Sequence, residues 1–345
     1  MNSHEERMHV KLALIGLGNI GRRFLELLER KQELLSTRFG LELSVVSVAD
    51  SSGARHYPDG ANLRQLIEMK LAGQRLKDQN EALIDPLDMV RQTEASVLIE
   101  LSPTNLQTGG TGLSAIRIAL ERKLHVVTAN KGPLVLAFQE LVTKAHQQQV
   151  RLLFSATVTG GLPTLNVGRR DLSACQIKKF EGIVNSTTDF ILTCMSEGET
   201  FDQGLKRAQD AGFAEADPTL DVDGWDAANK LVIIANTVLR RPTTLDDLEV
   251  VGIRGVTQDE VRAAQERGEV IKLIALAEHT GSDYRFSVKP TSLKKDHPLV
   301  QLGNDWQGVI YYTDINGKIL AAIDSEDPTP TAAAVLEDLI EICQS

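Results

Sequence analysis

The residues that decide the fold are VKLALIGLGNIG (10–21), in which an apolar run leads directly into a G-x-G-x-x-G string. The run predicts a buried strand ending at Ile15, and the residues beyond Gly21 have the spacing of an amphipathic helix. Glycines in such a turn bring backbone N–H groups close to a pyrophosphate at the positive helix end. The stretch predicts a dinucleotide-binding turn, with an ordinary strand-to-helix turn as the alternative. Its expected cofactor contacts are Gly16, Gly18, Asn19, Ile20 and Gly21.

Further β-rich apolar runs alternate with helical patterns up to about residue 158. This alternation predicts a parallel sheet covered by helices on both faces, which is an α/β, Rossmann-type doubly wound domain. We expect this dinucleotide-binding domain to span residues 1–154. Its predicted strands are Val10–Ile15, Leu43–Ala49, Val97–Leu101, His125–Thr128 and Arg151–Ala156.

The pattern changes after GGLP (160–163), where strands and helices no longer alternate. The second half predicts an α+β domain over residues 155–328 that binds the substrate. A final amphipathic helix, 329–345, has Pro330 in its first turn and is expected to return to the first domain. Predicted elements between them are a strand at Ile177–Val184, helices at Thr188–Met195, Phe201–Ala211 and Trp225–Leu239, and mostly strands from Glu249 to Tyr312.

Composition narrows the class of partner. The net charge of -10 would repel a polyanion, so nucleic acid is not an expected partner. No apolar run is long enough to span a bilayer, and the first nine residues do not have the apolar segment of a secretory signal. The three cysteines are widely separated, which argues against a disulfide framework. We expect a cytoplasmic protein with a small-molecule substrate.

Asp50, at the end of the second predicted strand, bears on the choice of cofactor. A carboxylate there can accept hydrogen bonds from the ribose hydroxyls of the dinucleotide. The next residue is Ser51 rather than an arginine that would bind a 2′-phosphate. These residues favour NAD slightly over NADP. If Asp50 is only a turn residue at the end of a strand, the preference has no basis.

Polar residues also follow two later strands. Ser102 and Thr104 come after the strand Val97–Leu101, and Lys131 comes after His125–Thr128. Ligands of doubly wound sheets bind at the carboxyl ends of the strands. We therefore expect Ser102 and Thr104 to contact the cofactor and Lys131 to point toward it, with a solvated turn lysine as the alternative.

The segment GFAEADPTLDVDGWDAANKLVII (212–234) contains the predicted proton-transfer pair. Asp226 and Lys230 are four residues apart and share one helix face, where an exposed salt bridge is the alternative. The apolar run that follows predicts a buried helix, in which a charged pair is costly unless it serves a ligand. A lysine ammonium can protonate the oxygen of an aldehyde that receives a hydride. Glu215 and Asp221 suit a positive group on the substrate.

These motifs, with VTANK (127–131), GGLP (160–163) and NSTTDFIL (185–192), resemble the homoserine dehydrogenase family in its short form without a regulatory domain. The resemblance implies reversible, NAD(P)-dependent reduction of L-aspartate 4-semialdehyde to L-homoserine, on the route to threonine and methionine. It also implies a homodimer formed through the second domain. By matching motif, Lys230 and Asp226 transfer the proton, Lys131 lies beside the reacting oxygen, and Thr187, Glu215 and Asp221 hold the amino-acid end of the substrate.

The chain departs from the family pattern at several positions. The resemblance implies a monovalent cation, Na⁺, near Val158, Gly160 and Leu162, but Ser155 stands where the family usually has a glutamate ligand. Phe213 replaces a usual tyrosine, and Ser186 and Asp189 replace a usual glycine and asparagine. The acidic stretch AIDSEDP (322–328) replaces a glycine-rich turn that allows close approach of a ligand. These departures keep two alternatives open: an oxidoreductase for another small hydroxy or amino aldehyde, and a non-catalytic dinucleotide-binding paralogue.

Overall fold

The structure is a computed structural model that describes residues 7–79, 82–303, 306–325 and 327–344. Its strands are β1 (Met8–Ile15), β2 (Leu41–Asp50), β3 (Gly53–His56), β4 (Val97–Glu100), β5 (His125–Thr128), β6 (Leu152–Leu153), β7 (Ile177–Ile183), β8 (Leu248–Val250), β9 (Glu269–His279), β10 (Tyr284–Lys294), β11 (Gln307–Thr313) and β12 (Lys318–Ile323). Its helices are α1 (Asn19–Phe39), α2 (Leu63–Leu71), α3 (Pro86–Gln92), α4 (Gly110–Glu121), α5 (Lys131–Gln148), α6 (Thr164–Asn166), α7 (Ser186–Ser196), α8 (Phe201–Asp210), α9 (Thr219–Val222), α10 (Trp225–Thr237), α11 (Gln258–Glu266) and α12 (Thr329–Cys343).

The chain divides into two compact units. One comprises Met1–Gly161 and Asp327–Ser345, and the other comprises Leu162–Glu326. The chain passes from one unit to the other after Gly161 and again after Glu326, close to the boundaries expected at 154 and 328. Helix α12 belongs to the unit that contains the first sheet. Residue 345, the last of the predicted final helix, lies outside the described residues.

The first unit contains a six-stranded sheet in the order β3-β2-β1-β4-β5-β6. All neighbours are parallel except β3, which forms an antiparallel edge with β2. Buried side chains of β1 and β4 pack against apolar residues of α1 and α12, including Phe24 and Leu339. The α/β, Rossmann-type prediction is confirmed, with one antiparallel edge strand that the sequence pattern did not predict.

The register of this sheet brings the ends of three strands to one edge. Ile15 of β1 pairs with Ala49 of β2 and with Glu100 of β4, and Glu100 pairs with Thr128 of β5. Because these strands run parallel, the residues that follow each of them meet at the same carboxyl edge. The glycine turn and the two predicted polar turns therefore lie along one line.

The second unit contains a six-stranded sheet in the order β12-β11-β7-β9-β10-β8. Its neighbours are antiparallel except β10 and β8, which confirms the α+β prediction. Helices α7, α10 and α11 pack on β9. The helix α10 is buried from Ala227 to Asn236, so the charged Lys230 lies on a core helix.

A second buried ion pair joins a helix to this sheet. Lys272 of β9 lies 2.7 Å from Asp189 of α7, and both side chains are less than a tenth exposed. A buried charge whose partner is removed costs several times more than an exposed one, so this pair fixes α7 against β9. The aspartate at position 189, where the family usually has asparagine, is therefore matched by a lysine.

Two sequence predictions differ from the structure. The strand expected at Arg151–Ala156 shortens to β6 because the chain turns at Ser155–Thr157, where the Ser155 N–H and hydroxyl donate to Asp338 of α12. The stretch from Glu249 to Tyr312 was expected to be mostly strand but includes α11. A capping box between Thr257 and Glu260, visible in the sequence, begins that helix.

Other bounds agree to within about two residues, the usual uncertainty of helix ends. Helix α1 ends at Phe39, and Gly40 adopts a left-handed φ of 65° that closes it. None of the helices in the described ranges is both long and apolar enough to cross a bilayer.

Candidate active site

The glycine turn between β1 and α1 has the geometry of a phosphate-binding turn. Gly16 has a φ of 99°, and a side chain there would collide with the backbone oxygen of Leu101. A side chain at Gly21 would collide with the Gly16 oxygen, so both positions require glycine. By contrast, a Cβ atom at Gly18 would meet nothing within 4 Å. The turn is thus tightly packed at Gly16 and Gly21 and open at Gly18, next to the start of α1. This arrangement leaves room for a dinucleotide pyrophosphate at the N-terminal end of the helix.

The two residues after Gly18 are placed differently. Asn19 is exposed at the start of α1, and its Oδ1 accepts a hydrogen bond from Arg23 at 3.2 Å. Ile20 is partly buried against the core of the sheet. Only the backbone of Ile20 therefore suits a cofactor contact, whereas the Asn19 side chain also orients Arg23.

Asp50 is not free to meet a ribose. Its side chain is 4% exposed. Its Oδ1 accepts from the Ser52 N–H at 2.8 Å and the Ser52 hydroxyl at 2.5 Å, and its Oδ2 accepts from the Leu76 N–H at 3.0 Å and from Lys70 at 3.3 Å. Burial opposes ionisation, but these hydrogen bonds and the Lys70 charge outweigh it and lower the pKa of Asp50. The geometry favours the alternative role of a residue that holds the strand-end turn, while Ser51 is exposed.

Ser102 and Lys131 lie at the carboxyl edge, as their positions after β4 and β5 predict. Ser102 is partly buried and Thr104 is exposed. Lys131 is the first residue of α5, whose N-cap Asn130 accepts a hydrogen bond from the Gly132 N–H at 3.0 Å. Behind them lies Glu100, a buried carboxylate that sequence reasoning missed because it reads as the last residue of an apolar strand.

Lys230 and Asp226 form a buried ion pair on α10. Lys230 Nζ lies 2.7 Å from Asp226 Oδ2 and donates to the Val184 carbonyl oxygen at 2.5 Å. Their side chains are 10% and 15% exposed. An ammonium has three N–H donors, and within the described part of the chain two of them are directed at these partners. The third is available to a ligand, so the exposed salt bridge considered from the sequence does not describe this pair.

Asn185 connects this pair to the acidic segment, and it was not among the predicted site residues. Its Nδ2 donates to Asp221 at 2.6 Å and to Asp226 at 2.9 Å. Its Oδ1 accepts from the Thr188 N–H at 2.9 Å and so caps α7. The signal for Asn185 was its place before a helix start, which indicates a cap but not its second role as a donor between two carboxylates.

The remaining predicted substrate residues surround α7 and the acidic segment. Thr187 is buried, and its hydroxyl donates to the Phe213 carbonyl oxygen at 2.7 Å. The Phe213 ring stacks on Phe190 with centroids 4.8 Å apart. Glu215 is exposed, whereas Asp221 is half-buried. The structure therefore brings Asp221 to the Lys230 pair through Asn185 and leaves Glu215 on the surface.

The residues predicted for a cation are held by hydrogen bonds and close packing within the protein. The Ser155 hydroxyl and N–H each donate to Asp338 at 2.7 Å. The Val158 carbonyl accepts from the Thr159 hydroxyl at 2.7 Å, and Gly160 packs so tightly that a side chain there would meet Thr331. In the other unit, the Leu162 carbonyl accepts from the Thr164 N–H at 2.7 Å. A serine that donates its hydroxyl hydrogen to a carboxylate does not replace a glutamate ligand.

Asp327, the last acid of the stretch before α12, is paired within the unit that contains α12. Asp327 lies 2.9 Å from Arg23 of α1 and accepts from the Thr329 N–H at 2.8 Å. These hydrogen bonds and the Arg23 charge lower the pKa of Asp327. Glu326 lies outside the described residues. Asp327 therefore links the start of α12 to α1 rather than presenting an uncompensated charge.

A dinucleotide-binding turn in one unit and a buried lysine–aspartate pair in the other define an NAD(P)-dependent oxidoreductase. A family model described as homoserine dehydrogenase matches residues 163–340, and one described as its NAD binding domain matches residues 16–155. The chain belongs to the homoserine dehydrogenase family.

Proteins and solved structures of this family are similar to the chain over nearly its whole length. A protein of Pseudomonas canavaninivorans named NAD(+)-dependent homoserine dehydrogenase is 34% identical and aligns over 97% of this chain and 96% of its own. The crystal structure of a putative homoserine dehydrogenase from Archaeoglobus fulgidus superposes with a TM-score of 0.87 at 37% identity, covering 96% and 99% of the two chains. The structure of a hyperthermophilic archaeal homoserine dehydrogenase mutant in complex with NADPH superposes with a TM-score of 0.85 at 28% identity, covering 98% of each chain.

The open space at Gly18 supplies a test of the cofactor site. We expect Gly18→Ala to weaken NADPH binding at least about 10-fold, because the added methyl group takes the room that the pyrophosphate needs. The midpoint of urea unfolding should not change, since the methyl group meets no protein atom. Fluorescence titration with NADPH measures the binding. Gly255→Ala, whose Cβ also meets nothing, is the control, and wild-type affinity in Gly18→Ala would contradict the assignment.

Proposed function

We propose that this chain catalyses the reversible reduction of L-aspartate 4-semialdehyde to L-homoserine, with Lys230 as the proton donor and acceptor. The observation that carries the proposal is the buried Lys230–Asp226 ion pair, in which the ammonium group keeps one N–H for a ligand. Removing either partner of a buried pair leaves the other as a costly unpaired charge, so Asp226 holds the Lys230 ammonium in place.

The reduced nicotinamide cofactor, when bound, supplies the hydride that the aldehyde carbon receives. The two electrons of the new C–H bond displace the carbonyl π electrons onto oxygen, which becomes an alkoxide. Lys230 then donates one proton to that oxygen, and the product is the alcohol. In the oxidation direction the neutral amine of Lys230 removes the same proton.

Two neighbours determine how Lys230 is held. The Val184 carbonyl and the Asp226 carboxylate fix two of its N–H groups, which orients the third. Asp226 also accepts from Asn185, so its charge is shared between an ammonium and an amide. We propose that Lys131, at the start of α5, adds a second positive charge that stabilises the alkoxide.

The substrate carries an α-ammonium and an α-carboxylate besides its aldehyde. We propose that Asp221 binds the ammonium, because it is half-buried and is oriented by Asn185 at 2.6 Å. Glu215, exposed on the surface, would add to this binding only if the segment around it closes over the substrate. Thr187, whose hydroxyl donates to Phe213, shapes the wall of the site.

Replacing the proton donor tests the reaction directly. We expect Lys230→Ala to lower kcat for L-homoserine oxidation by about 1000-fold, because the variant lacks the group proposed to exchange the proton. NADPH affinity, measured by fluorescence titration, should stay close to that of the wild type. The matched control is Lys206→Ala, which removes an exposed lysine that also pairs with an aspartate four residues along a helix.

The same assay separates the alternatives. If the wild type oxidises no homoserine with either dinucleotide but turns over another short hydroxy or amino aldehyde, the substrate assignment is wrong. If it binds NADPH and turns over none of them, the protein is a non-catalytic binder. Full activity of Lys230→Ala would remove the proposed mechanism.

We propose that the chain accepts both NAD and NADP. The expected slight preference for NAD depended on a free carboxylate at Asp50, and both oxygens of that carboxylate already accept hydrogen bonds from protein donors. One relative is named for NAD(+), and another is solved with NADPH. Both cofactors are therefore within the range of the family.

If the chain accepts both cofactors, its kcat/KM values with NAD and NADP should differ by less than about 10-fold. Asp50→Asn should lower the midpoint of urea unfolding, because an amide cannot accept all four hydrogen bonds, yet leave the ratio of the two kcat/KM values unchanged. Asp59→Asn, at an exposed residue of the same unit, is the control. A shift of the ratio toward NADP by more than about 10-fold would show that Asp50 reads the ribose after all.

We also propose that Asp338 replaces the family's cation as the anchor of Ser155. The Ser155–Asp338 hydrogen bonds and the close packing of Gly160 on Thr331 hold the turn against α12 without a metal ion. Exchange of sodium or potassium chloride for tetramethylammonium chloride at equal ionic strength should change turnover by less than about 2-fold. Stimulation by either metal ion of more than about 10-fold would contradict this proposal. The homodimer and the cytoplasmic location stay predictions.

A further inference from the structure

Glu100 is a fully buried carboxylate at the end of β4. Its Oε1 accepts from the Ser102 N–H at 2.9 Å and from the Ser102 hydroxyl, and its Oε2 accepts from the Thr128 hydroxyl at 2.9 Å. The Asn130 side chain also hydrogen-bonds to it. Among the described residues no cation pairs with it. Burial raises the pKa of Glu100, and the hydrogen bonds oppose that rise.

Such a carboxylate is not explained by stability. Its neighbours along β4 and β5 are the apolar Ile99 and Val127, so an apolar residue would suit the strand itself. An unpaired buried charge costs several kcal/mol in principle, and hydrogen bonds only offset that cost. A group retained under these conditions has a role in positioning what it binds.

What Glu100 binds are the two turns that follow β4 and β5. Ser102 belongs to the first turn, and Thr128 and Asn130 belong to the second. The Asn130 N–H donates to the Thr128 hydroxyl at 3.0 Å, and the Asn130 Oδ1 caps α5, whose first residue is Lys131. One carboxylate therefore sets the position of both turns and, through the cap, of the backbone at Lys131.

The cluster has no spare room. Gly112 of α4 faces it, and a Cβ atom there would lie 2.5 Å from Asn130 Nδ2 and 3.0 Å from both Glu100 Oε1 and Ser102 Oγ. Helix interiors disfavour glycine relative to alanine by roughly 1 kcal/mol, so a glycine at this position is explained by the space that the cluster needs.

We propose that Glu100 is a positioning residue for hydride transfer, which fixes Ser102 and the Asn130–Lys131 turn at the edge of the sheet where the nicotinamide cofactor binds. The proposal rests on the proposed function for its kinetic consequence, but its effect on cofactor binding is independent of the substrate. Because Glu100 is fully buried and hydrogen-bonds to both turns, it acts through them.

Glu100→Gln tests the proposal, because the amide keeps the size of the side chain but offers one acceptor in place of two. We expect the Kd for NADPH to rise and kcat to fall, each by about 10- to 100-fold, since both turns lose their fixed geometry. The control is Glu181→Gln, at a buried carboxylate of the other unit that pairs with Lys179. A purely structural role would lower the midpoint of urea unfolding while the folded variant kept its Kd and kcat, and that result would overturn the proposal.

Gly112→Ala is a second variant, which tests the positioning role of Glu100 if Glu100→Gln does not fold. It keeps the carboxylate and improves helix propensity, but its methyl group displaces Asn130, Glu100 and Ser102. We expect the folded variant to show the same direction of change in Kd and kcat, together with a lower midpoint of urea unfolding because the cluster has no room for the methyl group. Wild-type Kd and kcat would overturn the proposal. NADPH binding is measured without substrate, so a wild type that binds NADPH but does not oxidise homoserine would refute the proposed function and leave this binding test intact.

Discussion

The ion pair between Lys230 and Asp226 is the interaction on which the second unit is organised. Both groups lie on α10, which is buried from Ala227 to Asn236, so removing either one leaves the other as a costly unpaired charge. Asn185 and Val184, in the turn between β7 and α7, hydrogen-bond to Asp226 and Lys230 and so fix that turn against the pair. A catalytic lysine of this kind is therefore a packing constraint as well as a chemical group.

Buried carboxylates also hold the first unit together, because they accept hydrogen bonds from other groups of the protein. Asp50 holds the turn after β2, Glu100 holds the turns after β4 and β5, and Asp338 holds the turn after β6. Each accepts hydrogen bonds from backbone N–H groups or hydroxyls that burial would otherwise leave unsatisfied. These acids thus shape the edge of the sheet on which a ligand would lie, and only Asp50 among them was predicted from the sequence to contact one.

The departures from the family pattern are matched by neighbours distant in sequence. Ser155 donates to Asp338, Asp189 pairs with Lys272, and Asp327 pairs with Arg23. In each case the partner lies more than 80 residues away along the chain, so these changes do not by themselves indicate a lost function. They support a working enzyme of the family more than a degenerate paralogue.

The sequence alone determined the class of fold, the glycine turn and the family, because hydrophobic periodicity and short motifs act over a few residues and leave a local pattern. It also placed Lys230 and Asp226 on one helix face, since a spacing of four is a property of the helix. It did not reveal Glu100 or the bridging role of Asn185, and it assigned Asp50 to a ligand that its hydrogen bonds argue against. Those roles depend on which donors lie within 3 Å of a buried carboxylate, and only the tertiary structure, which joins residues far apart in the chain, decides that.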